Sequence, residues 1–206
     1  MNQQTLVIAT HNSGKLFELR ELSRDLPLIL RDLNSFPLIE PVEETGATFA
    51  ENASVKARAY ALQTRFMTLA DDSGLEVSSL GGAPGVRSAR HAGDGASDVQ
   101  RTHKLLVELS EGSSADRSAR FVSAVAIANS EGLILNVSIG VCEGSIAHRP
   151  RGSNGFGYDP VFVPNGYDQT FGELSVELKN QISHRAQAVK GALDFLLSLT
   201  MASGDG

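Results

Sequence analysis

Thr5-Leu6-Val7-Ile8-Ala9-Thr10, followed by His11-Asn12-Ser13-Gly14-Lys15, is the stretch from which the fold class is read. Thr5 to Thr10 is β-branched and apolar, as a buried strand requires. A polar, glycine-containing turn breaks it. Leu16, Leu19, Leu22 and Leu26 then share one helical face, until Pro27 ends the helix. Strand, turn and helix in that order open an α/β protein.

The pattern continues outward. Leu28 to Leu30 reads as a second strand, followed by a loop carrying Pro37 and Pro41. Thr48 and Glu51 make a capping-box signature that opens an alanine-rich helix through Gln63. Phe66 to Ala70 reads as a buried strand ending in Asp71-Asp72-Ser73-Gly74, with a short strand at Leu75 to Val77. Gly81 to Gly95 holds five glycines and reads as flexible. Ser97 or Asp98 caps a helix whose apolar residues are Val99, Leu105, Leu106 and Leu109.

Ala119 to Ala128 and Leu133 to Cys142 are strand-like runs joined by Asn129-Ser130-Glu131-Gly132, a hairpin signal. A second glycine-rich loop, Arg149 to Asp159, leads to a short strand at Val161 to Val163. Ser183 caps a last helix with Ala186, Val189, Leu193 and Leu197 inward. The hairpin rules out an all-parallel sheet, so a mixed α/β sheet is expected.

The 206 residues are 41% hydrophobic and 20% charged, an ordinary globular composition. With 18 Lys and Arg against 24 Asp and Glu, the net charge of -6 disfavours nonspecific binding to nucleic acid or anionic membrane. A single cysteine, Cys142, excludes an intrachain disulfide framework and fits a reducing compartment. Gly191 to Ala202 is interrupted by Asp194 and falls short of the ~20 apolar residues of a membrane span. Met1 to Thr5 lacks the basic start and apolar core of a signal peptide. A cytoplasmic protein without membrane or nucleic-acid partners is expected.

Four segments carry candidate chemistry. Thr10 to Lys15 sits at a helix N-terminus, where backbone N–H groups favour an anion and Lys15 adds a positive charge. It is not a Walker A loop, which needs Gly at Ala9 and Ser or Thr at Leu16. A phosphate cradle and a simple turn are both open readings.

Asp71-Asp72 at a strand end suits Mg²⁺ binding or water activation, although Asp and Gly also make ordinary turns. On a strand the two side chains point oppositely, so one faces the site. Glu43 and Glu44 are candidate partners for that carboxylate, and Lys56 a candidate cation. Gly152-Ser153-Asn154-Gly155-Phe156-Gly157-Tyr158-Asp159-Pro160 combines glycines, for close backbone approach to a ligand, with Phe156 or Tyr158 as a stacking face; a tight connection is the alternative. Lys179 and Ser183-His184-Arg185 complete the set. Cations in a first helical turn oppose the dipole, which an anionic or carbonyl-bearing ligand would explain.

Taken together and in this order, the segments resemble one family. Thr10-x-Asn12-x-x-Lys15, Glu43-Glu44-Thr45-Gly46-x-Thr48-Phe49-x-Glu51-Asn52-Ala53, Ala70-Asp71-Asp72-Ser73-Gly74-Leu75, Gly81-Gly82-Ala83-Pro84-Gly85, Gly155-Phe156-Gly157-Tyr158-Asp159-Pro160 and Ser183-His184-Arg185 are similar to the inosine triphosphatase, or HAM1-like, family of nucleoside triphosphate pyrophosphatases. The resemblance spans about residues 5 to 198.

It implies a single catalytic domain over residues 1–206 with an α/β fold, a long mixed sheet flanked by helices, and two lobes around a nucleotide-binding cleft. It further implies a homodimer and Mg²⁺-dependent hydrolysis of ITP, dITP and XTP to the monophosphate and pyrophosphate. By the same resemblance Thr10, His11, Asn12, Ser13, Gly14 and Lys15 hold the triphosphate. Asp72 is general base and metal ligand, Ser73 touches substrate, and Glu43 or Glu44 completes the Mg²⁺ site. Phe156, Gly157, Tyr158 and Asp159 line the base pocket; Lys179, His184 and Arg185 contact base or phosphates, and Lys56, read from its place on the second helix, is a further substrate-binding candidate. Backbone N–H groups or Arg185 would donate to the purine 6-oxo group.

Other classes remain to be weighed. Maf-like pyrophosphatases act on pyrimidine or modified nucleotides, and the Phe156–Asp159 and Ser183–Arg185 segments argue against them. A nucleotide sensor without turnover has less use for Glu43, Glu44, Asp71 and Asp72 together. A Ser-His-Asp hydrolase lacks its Gly-x-Ser-x-Gly elbow around Ser73.

Overall fold

The computed structural model describes residues 4–112 and 114–202. One six-stranded sheet has the order β2-β1-β3-β4-β5-β6. Strand β1 (Thr5–Ile8) is followed by helix α1 (Ser13–Ser23) and β2 (Ile29–Asp32); helix α2 (Phe49–Thr64) leads to β3 (Met67–Val77). Both β2 and β3 pair with β1 in parallel. Helix α3 (Asp98–Glu111) precedes β4 (Ser118–Ala128) and β5 (Ile134–Ile146), joined by a tight turn in which the Asn129 N–H donates to the Leu133 carbonyl. The short β6 (Phe162–Pro164) pairs antiparallel with β5, and helices α4 (Val176–Ile182) and α5 (His184–Ala202) follow. The sheet is mixed, as the hairpin demands.

The chain divides into two compact units. Unit 1 comprises residues 1–72, 123–140 and 185–206. Its core packs Leu6, Ile8, Leu69, Val125 and Ile127 of the strands with Leu19 of α1 and Ala188, Val189, Ala192 and Leu196 of α5. Unit 2 comprises residues 73–122 and 141–184, with a core of Leu75, Leu105, Leu109, Phe121, Ile146, Tyr158, Phe162 and Phe171 among others. The unit boundaries fall inside β3, β4, β5 and the first turn of α5.

Several expectations are corrected. Asp71-Asp72-Ser73-Gly74 makes no turn; the two expected strands around it form the continuous β3, so the carboxylates alternate across a sheet. Helix α1 begins at Ser13, with Asn12 as N-cap. The glycine-rich 81–95 segment contains a short 3₁₀ stretch, Gly85–Arg90, and a second, Ser78–Leu80, stands just before it. Val99 is 78% exposed, because the inward stripe of α3 is Thr102, Leu105 and Leu109, with Asp98 one turn before it. On α5 the 3.6-residue period carries the buried stripe from Val189 and Ala192 to Leu196, leaving Leu197 exposed.

Local caps hold the ends. Thr48 Oγ1 accepts from the Glu51 N–H, while Glu51 reaches the Ala47 N–H, one residue before the N-cap. Ser97 and Gln100 form a complete capping box on α3. No helix among the described residues is long and apolar enough to cross a membrane.

Candidate active site

In unit 1 the polar turn after β1 is ordered by its own side chains. Thr10 Oγ1 accepts from the Asn12 N–H at 3.1 Å, and Asn12 Oδ1 accepts from the Lys15 N–H at 3.0 Å. With the Lys15 amide engaged by the cap, the turn presents the remaining donors of the first helical turn, Ser13 and Gly14. His11 is exposed, and its Nε2 lies 3.3 Å from the Tyr60 hydroxyl. The Val42 N–H donates to that same hydroxyl, so Tyr60 ties the turn to the loop carrying Glu43 and Glu44.

The adjacent aspartates have different surroundings. Asp71 is fully enclosed: Lys15 Nζ stands 2.7 Å from Oδ2, Ser123 Oγ donates to Oδ1 at 2.6 Å, and Arg185 Nε lies 3.5 Å away. Burial alone would raise this carboxyl, but Lys15 and Arg185 overcome it and hold it well below the usual carboxylate range. Arg185 is also bound by the buried Glu18 of α1. Asp71 is therefore a structural anion.

Asp72 points the other way. Its Oδ1 receives Lys56 Nζ at 3.3 Å, and Lys56 also binds Glu44 Oε1 at 2.6 Å. Its Oδ2 is buried without a hydrogen-bond partner among the described residues. Burial raises the Asp72 carboxyl against the pull of Lys56 and Lys15, with Glu44 and Asp71 adding to the rise. Lys56 is pulled down by burial, yet the carboxylates of Asp72 and Glu44 lift it above its ordinary value, so it stays charged. Of the two candidate glutamates, Glu44 joins Asp72 through Lys56, whereas Glu43 is exposed. Among the described residues no three His, Cys, Asp or Glu side chains form a group that could hold a metal ion.

In unit 2 the glycine-rich loop folds on itself. Asp159, nearly enclosed, accepts the Phe156 N–H at 2.8 Å and Lys179 Nζ at 2.5 Å through Oδ2. Lys179 Nζ also stands 5.1 Å from the Phe156 ring centre. The Gly157 N–H donates to Asp98 at 2.7 Å. The amides of Phe156 and Gly157 are thus engaged within the protein.

Two further expectations shift. Tyr158 belongs to the core, its hydroxyl donating to the Ser88 carbonyl, so Phe156 is the half-exposed aromatic of the loop. Gly152 packs against the protein's own backbone: a Cβ there would lie 2.0 Å from the Gly172 carbonyl oxygen. His184 stacks on Phe121 with ring centres 4.5 Å apart and planes at 8°. Both His184 and Arg185 are nearly enclosed by protein partners; those partners, rather than a ligand alone, account for cations in the first turn of α5. Ser73 is half-buried on β3.

Glu18, Ser123 and Tyr60 had no sequence signal, and Asp98 had one only as a possible helix cap. Each looks like an ordinary surface or core residue until the fold supplies its partner. Glu18 is the nearest to an exception, being a carboxylate about one helical turn after Lys15 on a helix otherwise read for its leucines.

The sheet order, the capped turn at α1 and the adjacent carboxylates of β3 define a mixed α/β protein that is neither Walker nor Rossmann. A family model described as "Ham1 family" matches residues 6–195. The chain belongs to the Ham1 family of pyrophosphatases. A Bacillus cereus protein named dITP/XTP pyrophosphatase is 46% identical over 193 residues, covering 92% of this chain and 93% of that protein. The solved HAM1 protein of Coxiella burnetii superposes with a TM-score of 0.87 at 44% identity, covering 95% of this chain and all of that one (100%). The nucleoside-triphosphatase / dITP/XTP pyrophosphatase of Mycobacterium abscessus gives 0.74 at 43% identity, covering 92% and 99%.

Proposed function

We propose that this chain is a Mg²⁺-dependent pyrophosphatase that hydrolyses ITP, dITP and XTP to the nucleoside monophosphate and pyrophosphate. The observation that carries the reading is Asp72: buried, held on one oxygen by Lys56, without a hydrogen-bond partner on the other among the described residues, and joined to Glu44 through that same Lys56. The names of the relatives at 46% identity supply the reaction class and the purines.

The donor set fits magnesium. Asp72 Oδ2 is a hard oxygen with no competing donor among the described residues, and Glu44 is a second carboxylate, linked to Asp72 Oδ1 by the Lys56 ammonium. Mg²⁺ is usually held by one or two carboxylates plus phosphate oxygens and water, which does not require three protein ligands. When bound it neutralises charge on the phosphates. Glu44 and Asp72 would hold it; Glu43, exposed one residue away, stands outside the pair.

The chain's own groups do the rest. Ser13 and Gly14 amides with the Lys15 ammonium bind triphosphate oxygens, with Thr10, His11 and Asn12 shaping the turn. Asp72 orients a water and takes its proton as the water oxygen bonds to the α-phosphorus and the α–β anhydride breaks. Ser73 follows it on β3. Phe156, Gly157 and Lys179 form the base-reading part, Phe156 as stacking face and Lys179 as donor, with Tyr158, Asp159 and His184 supporting them from within unit 2, while Arg185 in unit 1 braces Asp71. Residues 1–206 as one catalytic domain, a homodimer and a cytoplasmic setting belong to the same reading, the last supported by a single, buried, unbridged cysteine.

The test is pyrophosphate release from ITP, dITP, XTP, ATP, GTP, CTP, UTP and dTTP, with Mg²⁺ and with chelator. Preference for the inosine and xanthosine triphosphates, lost with chelator, is the expected result. Pyrimidine turnover would make the chain Maf-like, and ITP binding without pyrophosphate release would make it a sensor.

A further inference from the structure

We infer that Asp98, at the start of α3, is a positioning residue for base selectivity. The inference rests on the pyrophosphatase reading above, and it concerns unit 2 alone. Asp98 splits its carboxylate: Oδ2 accepts the Gly157 N–H at 2.7 Å, while Oδ1 is bound by Arg101. One turn later Thr102 Oγ1 donates to the Gly157 carbonyl at 3.3 Å. Both backbone groups of a single loop residue are therefore held by one turn of one helix.

Gly157 needs that hold. Its φ of +63° places it in the left-handed region, and nothing lies within 4 Å of where a Cβ would be, so no side-chain packing fixes the peptide. It sits between Phe156, whose ring faces Lys179, and Tyr158, whose hydroxyl is anchored on Ser88. Arg101 extends the clamp by donating to the carbonyls of Ala89 and Ala96. Helix α3 is itself anchored by Thr102, Leu105 and Leu109 in the unit 2 core.

The consequence is rigidity where a 6-oxo purine has to be told from others. Selectivity between similar bases depends on polar groups fixed to within a few tenths of an ångström, and a loop free to shift loses discrimination before it loses binding. Asp98 touches no base in this account; it acts through Gly157.

The experiment compares D98A, D98N and S97A in steady-state kinetics with ITP and with GTP, alongside denaturation curves. Ser97 caps the same helix end without touching Gly157, so S97A reproduces the loss of helix stability alone. Loss of a hydrogen bond to a charged group predicts that D98A lowers the ITP-over-GTP ratio of kcat/KM about tenfold, mainly through a higher KM for ITP. D98N, which keeps an acceptor for the Gly157 N–H, recovers most of the ratio, and S97A leaves it unchanged. A D98A ratio within twofold of wild type, or an equal fall in S97A, overturns the inference. Should D98A fail to fold, T102V removes only the hydroxyl on the Gly157 carbonyl and shifts the ratio in the same direction; an unchanged ratio there overturns it too. Wild-type protein that hydrolyses no triphosphate refutes the functional reading and this inference with it. A selective wild type with an unselective effect of D98A refutes the positioning role alone.

Discussion

Replacing Asp71 by Asn isolates what its charge does. The side chain keeps its shape and one acceptor for Ser123, so the change is confined to the carboxylate facing Lys15 at 2.7 Å and Arg185 at 3.5 Å. Breaking a buried ion pair by neutralising one partner costs about 3–5 kcal/mol when the other charge is stranded. Here Arg185 retains Glu18 and Lys15 keeps some solvent access, so the lower end, about 3 kcal/mol, applies. For a chain of this size that is a fall in Tm of roughly 6–12 °C.

The loss depends on pH, with a definite sign. Although burial by itself raises the Asp71 carboxyl, Lys15 and Arg185 hold it well below its unfolded value. The native state then binds fewer protons than the unfolded chain. The carboxylate's stabilisation is full above about pH 4 and is lost as the pH falls further. Urea denaturation of wild type and Asp71→Asn, followed by circular dichroism at pH 7 and in steps below pH 4, measures both. A difference under about 1 kcal/mol at pH 7, or one that does not shrink in acid, would refute the assignment of Asp71 as a buried structural anion.

Asp72→Asn is expected to lower turnover by at least ~10²-fold while leaving stability unchanged or raised, because burial disfavours the charged form it removes; near-normal activity removes Asp72 from its role. Lys15→Ala should weaken triphosphate affinity and also destabilise the fold, since it uncovers Asp71; kinetics and denaturation both matching wild type would defeat both halves of that statement. Gly152→Ala combines a φ of +76° with a Cβ 2.0 Å from the Gly172 carbonyl oxygen, and should cost more than ~2 kcal/mol by chemical denaturation. Burial pushes the Cys142 thiol up to about 11, so a thiol reagent at pH 8 should react slowly with native protein and rapidly after unfolding.

Local chemistry made much of this molecule legible in advance. The Thr5–Ile8 strand, the Asn12 turn, the Thr48 and Ser97 caps and the Asn129–Gly132 hairpin each depend on residues a few positions apart, and all stand where hydrophobic period and turn chemistry put them. The Asp71–Asp72 segment was harder. Asp and Gly favour turns in isolation, but sheet pairing and the charges of Lys15, Arg185 and Lys56 keep them extended in β3.

By itself, then, the order of residues determined the mixed α/β class, the approximate places of the strands and of every α-helix but α4, and the short list of residues bearing chemistry. Tertiary structure alone decided which of two adjacent aspartates is enclosed by cations and which keeps a bare oxygen. It also decided that Glu44 rather than Glu43 meets Lys56, that Glu18, silent in the sequence, holds Arg185, and that Asp98, legible only as a possible cap, holds Gly157. The physical reason is distance along the chain: Arg185 and Glu18 are 167 residues apart, and Gly157 and Asp98 are 59 apart. A carboxylate's protonation and partners depend on what the fold brings within a few ångströms, which no local pattern encodes.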